Sequence, residues 1–292
     1  MSAPRKRIAL VIGAGSVKCA AAIGMQNALA RAGVKIDMLV GCSAGAIYAA
    51  TMALGRSSEE TADYTRRLWT SEVAKGRSRH SMLAMIAPRL FGFRADRFGL
   101  RDDTVMMARL REAFGETRIE DMATPLHITA TDFANGEQVV LSSGSLVDAV
   151  RASVALPFAY SPWRLGDRLL VDGYLSDPMP VGVAVRQGAD IILAAGFESP
   201  YQESTPSASR FAFQLSAIMS NNLFKSNFAF HSLAHHGEVI LVTPRFEQRI
   251  RLFDTDKIPY IIEAGEAAAM EQLPYLLELL GSGRPAAVEA FR

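Results

Sequence analysis

Short apolar runs and longer amphipathic stretches take turns along this chain, and their alternation predicts its elements. Arg7–Gly13 is apolar at every position after the arginine and reads as a buried strand. Val17–Ala32 carries apolar residues at helical spacing and ends at Gly33, a residue suited to the turn that closes a helix. Ile36–Gly41 is a second strand, and Ala44–Leu54 a second helix stopped by Gly55. Strand, helix, strand, helix at this spacing is a parallel βαβ unit.

The pattern then changes. Ser57 to about Phe114 is helical in spacing but broken by Pro88 and several glycines, which predicts a helical insertion over about residues 57–118. Strands resume at Leu126–Asp132 and Gln138–Leu141, joined through the hairpin-type turn Ala134-Asn135-Gly136. A short helix at Leu146–Ser153 leads into a loop through Pro157 and Pro162, a strand at Arg168–Val171 and an apolar strand at Ala189–Phe197. Pro200–Ser209 reads as a polar loop. A helix through the 210s to 230s, a strand at Val239–Val242 and a helix from about Pro259 to Leu280 follow. The expectation is an α/β fold with a mostly parallel central sheet between helices, one domain over residues 7–281 with extensions at 1–6 and 282–292.

Composition narrows the classes. A chain of 292 residues, 49% of them hydrophobic, has ample material for a core. Its formal net charge of +1 gives no global attraction to nucleic acid, and no such partner is expected. The basic start Met1–Arg7 precedes an apolar run of only Ile8–Ile12, too short for a signal peptide, and no run is long enough to span a membrane. Cys19 and Cys42 are too few for a disulfide framework and read as reduced, buried thiols. A cytoplasmic protein is expected.

Candidate chemistry begins where the first two strands end. Backbone amides at Gly13-Ala14-Gly15 could hold a dinucleotide pyrophosphate or the oxyanion of a hydrolase. The dinucleotide reading asks for a third glycine where Lys18 stands, and for an acidic residue at the end of the second strand, whereas Asp37 begins it. No nicotinamide or flavin cofactor is therefore expected, and no metal. Gly41-Cys42-Ser43-Ala44-Gly45 is a G-x-S-x-G sequence between a strand and a helix. A serine there projects its hydroxyl from a tight turn, and the helix N-terminus favours developing negative charge. The same pentapeptide also fits an ordinary turn with a capping serine.

A nucleophilic serine needs a base. Of the five histidines, His127 lies inside an apolar strand, while His231, His235 and His236 share a helix on which surface exposure is expected; His80 is the fifth. Asp172 ends an apolar strand and precedes Gly173, which would put its carboxylate on the same strand-end rim as Ser43. An apolar site would raise its pKa toward that of a useful base. Asp-Gly is equally the signature of a plain turn.

These blocks resemble those of the patatin-like phospholipases. The family's glycine-rich oxyanion block is similar to Gly13-Ala14-Gly15-Ser16-Val17-Lys18-Cys19, with Cys19 in place of a closing glycine. Its nucleophile motif matches Gly41–Gly45, and its Asp-Gly motif matches Asp172-Gly173-Tyr174, with Tyr174 in place of a small residue. The stretch Ala149–Trp163 resembles the segment that precedes this motif in the family, and the likeness runs from about Arg7 to Leu280. The resemblance implies a three-layer α/β/α sandwich and a serine acyl hydrolase acting through a Ser43–Asp172 dyad. It implies an oxyanion hole at Gly13, Ala14, Gly15 and Ser16, supported by Lys18, Gly41, Gly45 and Gly173. It also implies an acyl-ester or phospholipid substrate. An acyltransferase or thioesterase of the malonyl-transferase type, and a catalytically impaired lipid-binding relative, are the alternatives.

One charged stretch stands out. Lys75–Arg101 holds seven basic residues and one acidic, Asp96, interleaved with large apolar side chains such as Met85, Ile86, Phe91 and Phe98. A helix lying peripherally on an anionic membrane needs that combination. A helical insertion with its apolar face on the sheet would show it too.

Overall fold

The computed structural model describes residues 5–68, 78, 81, 83, 92–198, 201, 208–234, 237–251 and 254–281. Most of the expected loop at Pro200–Ser209, whose last two residues instead begin a helix, and most of the basic stretch, including Lys75, Arg77, Arg79 and Arg89, lie outside them, as do His80, His235 and His236.

The chain builds an eight-stranded sheet. Its strands are β1 (Ile8–Ile12), β2 (Met38–Cys42), β3 (Leu126–Asp132), β4 (Gln138–Leu141), β5 (Trp163–Leu165), β6 (Arg168–Asp172), β7 (Ile191–Ala195) and β8 (Glu238–Val242). They run in the order β5-β6-β3-β2-β1-β7-β8, with β4 paired to β3. The pairings from β3 through β2, β1 and β7 to β8 are all parallel. β4, β5 and β6 add the antiparallel part. β5 was expected to be loop; its three residues directly after Pro162 pair with β6 across a tight turn, a pairing that so short a segment does not announce.

Among the described residues the helices are α1 (Ala21–Arg31), α2 (Ala44–Ala53), α3 (Ser58–Leu68), α4 (Thr104–Phe114), α5 (Leu146–Ser153), α6 (Val181–Arg186), α7 (Ala208–Ala234) and α8 (Ile258–Leu279). The first expected helix starts late: Ser16–Ala20 is a 3-10 turn that leads into α1. Alternation along β1 sorts the layers. Ile8, Leu10 and Ile12 pack with residues of α1, α2 and α8, while Ala9 and Val11 pack with Val181 and Val183 of α6 and Phe224 of α7. Both faces of the central strands are covered, which is why these strands are apolar throughout rather than alternating. The result is a three-layer α/β/α sandwich. No helix among the described residues is long and apolar enough to cross a membrane.

Candidate active site

Ser43 stands between the last residue of β2 and the first of α2, so the chain turns from strand to helix at one residue. That requires φ 55° and ψ −129°, a backbone region that costs an L-residue about 1–3 kcal/mol. Two hydrogen bonds hold it. Ser43 N–H donates to Ser153 Oγ at 2.8 Å, and Ser43 C=O accepts from Ala46 N–H at 2.9 Å. Gly45 permits the close packing behind the turn: a Cβ there would lie 2.2 Å from the Ile12 carbonyl oxygen. Gly41 backs against Ala46 in the same way. The start of α2 thus presses on the end of β1, and since Ile12 pairs with Gly41, the Gly13 loop runs beside the Ser43 turn.

Asp172 ends β6, one strand away from β2. β3 lies between, pairing Thr129 with Cys42 on one side and Ala130 with Asp172 on the other. Across this strand the Ser43 hydroxyl donates to Asp172 Oδ2 at 2.7 Å. Asp172 Oδ1 accepts the Tyr174 N–H at 3.1 Å. The carboxyl is 1% exposed. Burial pushes its pKa up to about 7, against the bonds from Tyr174 and Ser43 that pull it down. Gly173 sits flush on the Thr129 carbonyl, where a Cβ would be 2.5 Å from the oxygen.

The glycine loop divides its amides between two duties. Gly13 N–H donates to Ala195 O at 3.1 Å and Ala14 N–H to Pro178 O at 2.8 Å, so these two anchor the loop. This narrows the expectation that all four amides stand free. Among the described residues, no acceptor faces the Gly15 and Ser16 N–H groups. The left-handed residue of the loop is Ser16, at φ 54°. Cys19 sits within the 3-10 turn, where its side chain meets no backbone penalty, and its thiol donates to Gly13 O at 3.3 Å. Burial pushes the Cys19 and Cys42 thiols well up, so both are neutral. Lys18 Nζ donates to Glu198 O at 3.0 Å, tying the loop to the segment after β7; burial lowers its pKa.

Tyr174 reaches outward from the Asp172 turn, and its hydroxyl bonds Ser216 of α7. The two described histidines take structural places. His127 Nδ1 lies 2.7 Å from Ser142 Oγ, and burial lowers its pKa. His231 is half-buried rather than exposed: its ring packs where a Cβ on Gly182 would be 2.9 Å from Cε1. Among the described residues no group of three or more His, Cys, Asp or Glu could hold a metal ion.

Three supporting residues carry no signal of their own in the sequence. Ser153 holds the strained amide of Ser43 from the end of α5. Asp177, 8% exposed, accepts from Met179 N–H and Asn227 Nδ2, both at 3.1 Å, which fixes the turn after Asp172 to α7. Arg151 is fully buried and donates to Asp103 Oδ2 at 3.0 and 2.6 Å from Nε and NH2, with Trp163 stacked 4.9 Å away. It pins the start of α4 to α5. The Ala149–Trp163 stretch was singled out, but neither Arg151 nor Ser153 within it had a partner readable from spacing.

Comparison with known proteins adds a family. The model of the family described as Patatin-like phospholipase matches residues 10–185. An uncharacterized NTE family protein of Mycobacterium tuberculosis is 30% identical over 188 residues, covering 64% of this chain and 48% of that protein. Mouse patatin-like phospholipase domain-containing protein 7 is 31% identical over 190 residues, covering 64% of this chain and 13% of that protein. The chain thus spans about half the length of the mycobacterial relative. Among solved structures, VipD from Legionella pneumophila aligns with TM-score 0.48 and 16% identity, over 94% of this chain and 68% of that one. ExoU in its complex with SpcU from Pseudomonas aeruginosa aligns with TM-score 0.43 and 16% identity, over 95% and 53%.

Proposed function

The chain belongs to the patatin-like phospholipase family, and from that premise we propose that it is a serine acyl hydrolase acting on carboxylic esters of lipids. The observation that carries this reading is the 2.7 Å bond from a strained, turn-borne Ser43 hydroxyl to a buried Asp172 whose pKa is raised to about 7. A carboxylate with that pKa is a competent base near neutral pH, where an ordinary aspartate is too weak.

The steps follow from these groups. Ser43 Oγ attacks the ester carbonyl carbon while its proton passes to Asp172 Oδ2. The carbonyl oxygen becomes an oxyanion facing the Gly15 and Ser16 amides, whose donors are preorganised and cost no rearrangement as charge develops. Collapse breaks the bond to the leaving alkoxide, which takes the proton from Asp172, and leaves an acyl group on Ser43. Water then attacks that ester with Asp172 again accepting a proton; collapse breaks the Ser43 Oγ–acyl bond, Oγ takes the proton back from Asp172, and the acid departs. Every step uses this chain's own groups.

The reading includes a cytoplasmic protein that meets its substrate peripherally at an anionic lipid surface through Lys75–Arg101. Its described part supports this. Phe93, Phe98 and Phe158 form a chain of rings 5.1 and 6.2 Å apart, with Phe93 and Phe158 about half exposed, beside Arg94, Arg97 and Arg101. Labelling by a fluorophosphonate probe tests the central claim. Wild-type protein should be modified at Ser43 and Ser43→Ala should not; an unlabelled wild type would end the hydrolase reading.

A further inference from the structure

Both members of the Ser43–Asp172 pair hang on one short stretch of backbone. Ser43 N–H donates to Ser153 Oγ at 2.8 Å, and Asp172 N–H donates to Ala155 O at 3.1 Å. The two acceptors are two residues apart, whereas the two donors are 129 apart.

That stretch is held by contacts outside the dyad. Ser153 is the last residue of α5, and the N–H groups of Val154 and Ala155 close the helix on Val150 O and Ala152 O at 3.0 and 3.2 Å. Ser153 and Ala155 are fully buried. Two residues before Ser153, the buried Arg151 binds Asp103 and also donates to Ser161 O at 3.0 Å, which ties the far end of the following loop back to α5. The N–H groups of Leu100 and Arg101 hold the middle of that loop, at Phe158 O and Ala159 O, both at 2.9 Å.

The sheet alone leaves the pair adjustable. Ser43 lies beyond the end of β2 and Asp172 ends β6, with β3 between them. Ser43 is also strained at φ 55°, and such a turn persists only where its surroundings over-determine it. α5 bridges the gap. Ala152 packs with Ala130 of β3, while Ser153 reaches Ser43 on one side of that strand and Ala155 reaches Asp172 on the other. A buried donor that loses its acceptor is costly, and a reacting group displaced by about 1 Å can lose about a hundredfold in rate.

We propose that Ser153–Ala155 is the clamp that sets the spacing of Ser43 and Asp172, with Ser153 as a positioning residue acting through the Ser43 amide. The proposal rests on the reading of Ser43 as nucleophile and Asp172 as base.

Two readouts on the full-length protein test it, one through reaction at Ser43 and one without it. Ser153→Ala removes the acceptor. The limiting rate of Ser43 labelling by a fluorophosphonate should then fall by about tenfold to a hundredfold, with the half-saturating probe concentration and the thermal melt unchanged. Carbon-13 NMR titration of the Asp172 carboxyl reads the pair directly. The bond from Ser43 pulls that group down against its burial, so in Ser153→Ala it should titrate above the wild-type value of about 7. Among the described residues the other titratable groups that face Asp172 are the Cys19 and Cys42 thiols and the Tyr174 hydroxyl, all pushed up by burial and neutral throughout this range. Should Ser153→Ala not fold, Ser153→Cys, which fills the site with a weak acceptor, should show both changes in smaller measure. A wild-type labelling rate or an unshifted titration in these variants would overturn the clamp while leaving Ser43 as nucleophile. A shifted titration in a protein whose wild type takes no label would support the clamp and end the hydrolase reading instead.

Discussion

The hydroxyl of Ser43 donates to Asp172 at 2.7 Å although 129 residues separate them along the chain. The contact joins a strained turn to a buried carboxyl, and it makes the pH behaviour of the protein specific.

As a base, Asp172 must be ionised, and its carboxyl is pushed up to about 7. On p-nitrophenyl esters kcat/KM should rise about tenfold per pH unit below that value and level off above it. Ser43→Ala and Asp172→Asn should each lower kcat by about 10³-fold or more. A flat profile, or near-normal turnover in Asp172→Asn, would remove Asp172 from the mechanism.

The same shift has a consequence for stability. The free carboxyl titrates near 3.8 and the buried one near 7. Between those values the folded chain holds a proton that the unfolded chain has released, so stability falls as pH rises through this window. Asp172→Asn cannot ionise. It should be more stable than wild type at about pH 8, by up to about 4 kcal/mol, with the two converging near pH 4. Urea titrations at both pH values measure the difference.

Gly45 leaves no room for a side chain. A Cβ would lie 2.2 Å from Ile12 O and 2.6 Å from Gly13 O. Both are backbone atoms, at the end of β1 and the start of the glycine loop, and cannot swing away. Gly45→Ala should cost about 3 kcal/mol or more and should depress ester turnover even where the protein still folds. Chemical denaturation together with single-turnover acylation separates the two effects.

Arg151 is fully buried, and Asp103, 29% exposed at its side chain, is its carboxylate partner. Asp103→Ala leaves a guanidinium without that charge and should destabilise by about 3–5 kcal/mol. Arg151→Met in the same background should recover part of the loss, because it removes the stranded charge. A double-mutant cycle read by urea unfolding checks this; simple additivity would mean that the pair contributes no coupling.

Much of the fold is local in origin and was readable as such. Leu126–Asp132, Gln138–Leu141 and Leu146–Ser153 appear with the bounds their patterns predict, because an apolar run, a hairpin turn and a capping Ser145 each act within a few residues. Ser43 was readable for the same reason, as a serine between strand and helix. β5 and α6 were not: three and six residues long, they exist only because β6 and the sheet face receive them.

What the sequence by itself determined is the set of pieces: a glycine loop after the first strand, a serine turn after the second, and an aspartate closing a later strand. Only the tertiary structure decided that they meet. Strand order β6-β3-β2 sets Asp172 one strand from Ser43, and burial on both faces raises the carboxyl toward neutrality. It decided also that Gly13 and Ala14 spend their amides on Ala195 and Pro178, leaving those of Gly15 and Ser16. Pairing across a sheet, burial and the choice of hydrogen-bond acceptor depend on residues more than a hundred positions away, and no window of sequence contains both partners.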